Sequence, residues 1–167
     1  MNTLAVELKM ALERLTVLYS EFHRLLSVEQ GLVVASASQE LREVVAAKDT
    51  VAQNIQEAEE ARLQVMDRIA RVLRRPRQGL RVHEIAEALP RAEAEALCNA
   101  RNGLQAMVGR VKALNEINNQ LLNDSLEFVH RAFDLVAGRK TTRQGYGQTG
   151  TVRTAVSVAR NLVNTRA

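Results

Sequence analysis

The chain has 167 residues, of which 46% are hydrophobic and only 3% aromatic, with a formal net charge of +4. That is enough chain to bury a core as one domain, and with so few rings the core must be built from Leu, Val, Ile and Ala, the composition of a helical bundle or coiled coil. No stretch approaches the ~18 uncharged apolar residues of a membrane span, and residues 1–7 carry no basic region ahead of an apolar run. A cytoplasmic protein without membrane insertion is therefore expected. The single cysteine, Cys98, cannot close an internal disulfide and reads as a small hydrophobe on a helix. From Leu135 to the C-terminus there are six basic residues and no acidic ones, so the positive charge belongs to the tail. Such a tail suits nucleic acid, an anionic membrane or an acidic protein surface, and charge alone does not choose among them.

Residues 2–32 contain no Pro and no Gly before Gly31, and Leu4, Leu8, Leu12, Leu15, Leu18, Phe22, Leu25 and Leu26 return in steps of mostly three and four. The spacing predicts one amphipathic helix about 45 Å long. Ala35-Ser36-Ala37-Ser38 follows, with Ser36 and Gln39 spaced as a capping box, so the chain either reverses or kinks there. A second stripe runs from Leu41 through Val44, Val45, Val51, Ile55, Val65 and Ile69 to Val72, and Pro76 is expected to end this helix at Arg75. Lys48 and Arg62 interrupt the stripe and are expected to pack their stems while their charged heads reach water.

Arg71, Arg74, Arg75, Arg77 and Arg81 crowd the next linker. They suit a helix C-terminus followed by a turn at Gly79, and a nucleic-acid patch is weakened by the lack of interleaved aromatics. A short helix over residues 82–89 precedes Pro90, which fits the first position of the last long helix, with Glu93 and Glu95 at its positive end. That helix is expected to run to Ala137 and stop at Gly138. Gly103 and Gly109 inside it suggest a closely passing helix or a slight bend. Its second half places Val111, Leu114, Ile117, Leu121, Leu122, Leu126, Val129, Phe133 and Val136 on one face and Asn115, Asn118, Asn119, Asn123 and Ser125 on the other. Asparagine and serine are middling helix formers, so packing of the apolar face is expected to hold this segment helical.

Beyond Gly138 the run RKTTRQGYGQTGT reads as a flexible tether. Val152, Val156, Ala159 and Val163, flanked by Ala155 and Leu162, predict an amphipathic helix behind Thr151. It is marginal alone, because ordering about 15 residues costs more than burying four aliphatic side chains returns. The expected fold is thus all-α: an elongated antiparallel bundle of three long helices with a short connecting helix over residues 1–138, and a flexible, conditionally helical tail over residues 139–167.

Catalytic chemistry finds no footing in this pattern. His23, His83 and His130 stand far apart, and there is no HExxH, CxxC or nucleophile motif. Gly145-Tyr146-Gly147-Gln148-Thr149-Gly150 matches GxGxxG, but no strand is predicted before it and no acid follows Asp134 to hold a ribose. Neither an enzyme nor a cofactor or metal is expected.

Three sets of residues resemble one family: Glu29, Leu32, Leu41, Val45, Lys48, Val51 and Arg62; the run Asn115-x-x-Asn118-x-x-Leu121-Leu122-x-x-Ser125-Leu126; and Tyr146-Gly147-x-x-Gly150. Their order and spacing are similar to those of the FlgN family of flagellar export chaperones. The resemblance implies a cytoplasmic helical chaperone that holds the terminal helices of hook-filament junction proteins, prevents their premature association and delivers them to the type III export gate. The client would lie in an apolar groove, for which Leu121, Leu122 and Leu126 on the last long helix and Val152, Val156, Ala159, Leu162 and Val163 in the tail are the candidates. Tyr146 has no apolar neighbour within three residues on either side, so it has no core to join. It matches a family tyrosine thought to touch the cytoplasmic domain of the gate. The basic tail and the arginine cluster ahead of Gly79 depart from the family pattern, and no nucleic-acid partner is expected. A homo-oligomeric coiled-coil adaptor and a nucleic-acid-binding bundle are the rival classes, and monomer and homodimer both stay open.

Overall fold

A computed structural model describes residues 1–35 and 37–136, together with the backbone of 143–146 and 152–155. Four helices carry the described chain: α1 (Asn2–Ala35), α2 (Ser38–Leu73), α3 (Val82–Ala86) and α4 (Arg91–Val136). Two compact units result, Met1–Leu121 and Leu122–Ala167.

In the first unit α1 and α2 form the close pair. Glu29 meets Lys48 near the connection and Glu7 meets Arg68 at the far end, so the chain reverses after Ala35 and the helices run antiparallel. Ser36, part of the expected capping box, lies outside the described residues, and Ala37 occupies the N-cap position of α2 without a side-chain cap. α2 ends at Leu73, earlier than the expected Arg75. Arg74 turns into the left-handed region (φ 52°, ψ 40°) and its N–H reaches back to the Ala70 and Arg71 carbonyls. The helix has to stop short because the ring of Pro76 keeps the residue before it out of the helical region.

Gly79, at φ 87°, makes the turn into α3, which is a five-residue helix rather than the eight-residue one expected. Pro90 precedes α4 and its carbonyl accepts the Ala94 N–H at 3.0 Å, so it caps the helix from outside. Asn2 bonds Glu93, and Asn118 bonds Leu26 and Glu29. Both sets of partners advance together along the two helices, so α4 runs parallel to α1 and antiparallel to α2. One cluster closes this up-down-up arrangement: Leu8 and Leu12 from α1, Val65, Met66 and Ile69 from α2, Ile85 from α3 and Leu97 from α4. The five residues of α3 thus plug the core with one fully buried isoleucine.

Two sequence expectations are corrected at this level. A Cβ built at Gly103 or Gly109 would meet nothing within 4 Å, so neither glycine marks a closely passing helix. Both are exposed. The second correction concerns the charged residues of the α2 stripe and the polar face of α4. Lys48 turns its head inward and its Nζ donates to both oxygens of Glu29, at 2.8 and 2.7 Å. Its cation also lies 5.9 Å from the centre of the Phe22 ring. Asn118, expected on the polar face, is 1% exposed and its Nδ2 donates to the Leu26 carbonyl at 2.7 Å and to Glu29 at 3.0 Å. Arg62 is half-buried and folds back along α2 onto Glu59, at 2.5 and 2.8 Å. That carboxylate holds the Arg62 guanidinium above its ordinary pKa.

In the second unit α4 continues to Val136, and Gly138, the expected stop, lies outside the described residues. Strands β1 (Arg143–Tyr146) and β2 (Val152–Ala155) pair antiparallel, with Arg143 opposite Ala155 and Tyr146 opposite Val152. The expected tail helix therefore does not begin at Val152 here. Val152 and Thr154 are β-branched and favour a strand over the first turn of a marginal helix. Val156, Ala159, Leu162 and Val163 lie outside the described residues. No strand was expected before the GxGxxG match, yet β1 runs into it; it pairs with an antiparallel strand, whereas a phosphate-binding turn leads from a strand into a helix.

Two outcomes follow from the packing. Gly103→Ala and Gly109→Ala should each stabilise the protein by about 0.4–1 kcal/mol, read from urea unfolding, since the methyl has room and the unfolded chain loses freedom. Lys48→Met should cost about 3–5 kcal/mol by leaving the Glu29 carboxylate buried and uncompensated, and Glu29→Met/Lys48→Met should recover most of that loss. A single mutant as stable as wild type would mean that Glu29 sheds its charge or reaches water.

Candidate functional site

The second unit contains the feature that a folded core cannot account for. Along α4 the apolar stripe starts inside: Val111 is buried, and Leu114, Leu121 and Leu122 are half-buried. It then emerges. Leu126 is 58% exposed, Phe128 74%, Phe133 68% and Val136 88%. Leu126, Val129, Phe133 and Val136 follow helical steps of three and four, so they form one continuous strip along the helix. Phe128 and Ala132 lie beside it, and together with Val129, Phe133 and Val136 they line a shallow, wholly apolar groove of about 200 Å³.

Two of the chain's three phenylalanines stand in this strip. Isolated exposed aliphatics are ordinary on a protein surface, but a contiguous strip with aromatic anchors marks an interaction site. The helix persists there because adding turns to an existing helix is easy, while starting one is costly. An i,i+4 pair between Glu127 and Arg131 supports it on the flank. Packing was expected to hold this segment, and beyond Leu122 the described residues provide little of it. Few chemical steps are open to such a surface: it has no nucleophile and no acid–base pair, and among the described residues no group of His, Cys, Asp or Glu could hold a metal ion. What it can do is bury another apolar surface, at about 1.5–3 kcal/mol gross for each large side chain covered.

Of the candidate client-binding residues, Leu126 is on this surface, whereas Leu121 and Leu122 are half-buried. The tail candidates Val156, Ala159, Leu162 and Val163 lie outside the described residues, and of Val152 and Tyr146 only the backbone is described. Phe128 and Leu135, both more than 70% exposed, were missing from the sequence-based set. Their signal was present in the clustering of phenylalanine in a chain so poor in rings, but regular helical spacing reads equally well as core.

No helix among the described residues is long and apolar enough to cross a membrane. Neither the curated proteins nor the solved structures searched include a match to this chain. A family profile described as FlgN protein matches residues 1–154, which takes in all four helices, the buried Glu29 and Asn118 with their partner Lys48, the exposed end of α4 and the hairpin up to Thr154. The chain belongs to the FlgN family of flagellar export chaperones.

Proposed function

We propose that the protein is a cytoplasmic chaperone for hook-filament junction proteins, and that the strip from Leu126 to Val136 is where their amphipathic terminal helices bind. The exposed strip itself carries this reading. A client helix laid against α4 would seat its apolar side chains around Phe128 and Phe133, the helix-in-groove mode in which aromatic anchors supply affinity and a polar rim sets register. Membership of the family supports the chaperone role. Holding such a segment needs no nucleotide, since binding an exposed helix lowers its free concentration by mass action.

Residues 139–167 then serve as a tether and conditional helix, with Val152, Val156, Ala159, Leu162 and Val163 adding a second apolar wall once a client is present. Leu121 and Leu122, half-buried, support the strip from its N-terminal side. Tyr146 docks the loaded complex on the cytoplasmic domain of the export gate, because the glycines and polar residues around it in sequence offer its ring no apolar neighbours. The chaperone works on this reading as a monomer, and a homodimer through the strip would compete with the client.

Phe128→Ser/Phe133→Ser should leave the thermal unfolding midpoint within a few degrees of wild type, since both rings are exposed. The same change should weaken binding of a junction-protein terminal helix by ~30-fold or more, the effect of losing one strong hot spot. Calorimetric titration decides it, and unchanged affinity would remove the strip as the client site. Tyr146→Ala should keep both fold and client affinity but weaken association of the chaperone–client complex with the isolated gate domain by a similar factor. Equal affinities of wild type and variant in that titration would leave Tyr146 without a docking role.

A further inference from the structure

The first unit has a groove whose chemistry differs from that of the strip on α4. Two adjoining hollows, of about 450 and 360 Å³, share Arg62, Val82 and Arg101 in their walls and so form one groove bounded by α1, α2, α3 and α4. Its floor is apolar: Met66 is buried, and Leu80, Val82 and Leu104 are half-buried. Its rim is basic. Arg62, Arg81 and Arg101 line it, and the one carboxylate in the lining, Glu59, is already paired with Arg62 at 2.5 Å.

The other two guanidinium groups have no such partner. Among the described residues Arg101 bonds only the side-chain oxygen of its neighbour Asn102, at 3.1 Å, and Arg81 forms no side-chain ion pair. The nearest acid in sequence, Glu84, accepts the Arg81 backbone N–H at 2.8 Å and lies 3.6 Å from Arg75; that backbone bond, with the charges of Arg75, His83 and Arg81, holds its carboxyl below the ordinary value, so Arg81 shares this acid with Arg75. Other arginines of the same linker are matched, Arg77 by Asp67 at 3.1 Å. Arg101, without a carboxylate partner, and Arg81, without an ion pair of its own, thus line a groove with an apolar floor, while Arg75 and Arg77 of the same linker are paired with Glu84 and Asp67.

We propose that this groove takes an acidic protein segment, carboxylates meeting Arg81 and Arg101 and aliphatic side chains resting on the Met66–Leu80–Val82 floor. Arginine favours this use, because its planar fork receives a carboxylate through two parallel N–H donors. The floor argues against a single small anion, which would gain nothing from Met66 or Leu80. It also argues against nucleic acid, which draws its affinity from many phosphates and from stacking on several rings, whereas the lining holds only Tyr19 and the His83 imidazole. The client strip on α4 is apolar and uncharged, so the two surfaces select for different partners.

Cys98 provides a local reporter, being the chain's one cysteine, half-buried and part of the groove lining. The full-length protein is alkylated at Cys98 with iodoacetamide in the presence of a synthetic amphipathic helix bearing Leu on one face and Glu on the other. The peptide should slow alkylation in a saturable manner, and less so as salt rises. Arg81→Gln/Arg101→Gln should raise the half-protection concentration by about tenfold, whereas Arg14→Gln/Arg71→Gln, exposed arginines outside the groove, should not change it. Thermal melts of both variants confirm the fold. The proposal is overturned if the peptide gives no protection, if its Glu→Gln form protects equally, or if the control pair weakens protection as much as the groove pair. Equal protection by inorganic phosphate would assign the groove to a small anion, and stronger protection by an oligonucleotide would assign it to nucleic acid; either result also overturns the proposal.

Discussion

Three helices meet on a single buried carboxylate. Glu29 of α1 receives the Lys48 ammonium from α2 and the Asn118 amide from α4, and Asn118 also holds the Leu26 carbonyl. An unpaired charge at this depth would cost several kcal/mol, and the pair gains little over apolar residues of the same size. What the network contributes is exclusivity. Leucine-rich stripes pack almost as well after slipping by one turn, about 5.4 Å, but such a slip would strand Glu29 without either donor. The level at which the helices stand against one another is therefore set by polar groups, and the leucines supply the cohesion.

The packed core and the exposed apolar strip fall on different lengths of the chain. The core cluster gathers residues from all four helices, with Ile85 of α3 completing it. α4 has 46 residues against 34 in α1 and 36 in α2, so it is longer than either long helix available to cover it. The helical repeat nevertheless continues through the surplus, with the same apolar spacing that elsewhere makes core. An unspent apolar face on a preformed helix suits a holding chaperone, because the backbone entropy of the receiving surface has already been spent in folding.

The long helices were legible in the sequence because their periodicity is strong and their breakers, Pro76, Gly79 and Pro90, are few and well placed. Periodicity reports which residues share a face. It does not report what lies opposite that face, so Val129 and Phe133 read as core by the same rule that correctly assigned Leu8 and Leu12. Lys48 and Asn118 failed for a related reason: polarity by itself says outward, and only the arrival of Glu29 from another helix makes inward favourable. Of the two readings open for the glycines of α4, a closely passing helix and a slight bend, the first does not hold, since both residues stand in open space. Family resemblance picked out Glu29 and Lys48 in one group of residues and Asn118 in another, and the shared carboxylate is what joins the two.

The exposed end of α4 also bears on how long the protein lasts in a cell. A helical segment with one face unpacked opens locally at a small fraction of the global unfolding free energy, and proteases cut what opens. An occupant of the strip suppresses that opening in proportion to its concentration over its dissociation constant. With the strip as the proposed client site, unoccupied molecules should be degraded faster than occupied ones, which would tie the amount of chaperone to the supply of its cargo without any dedicated regulator.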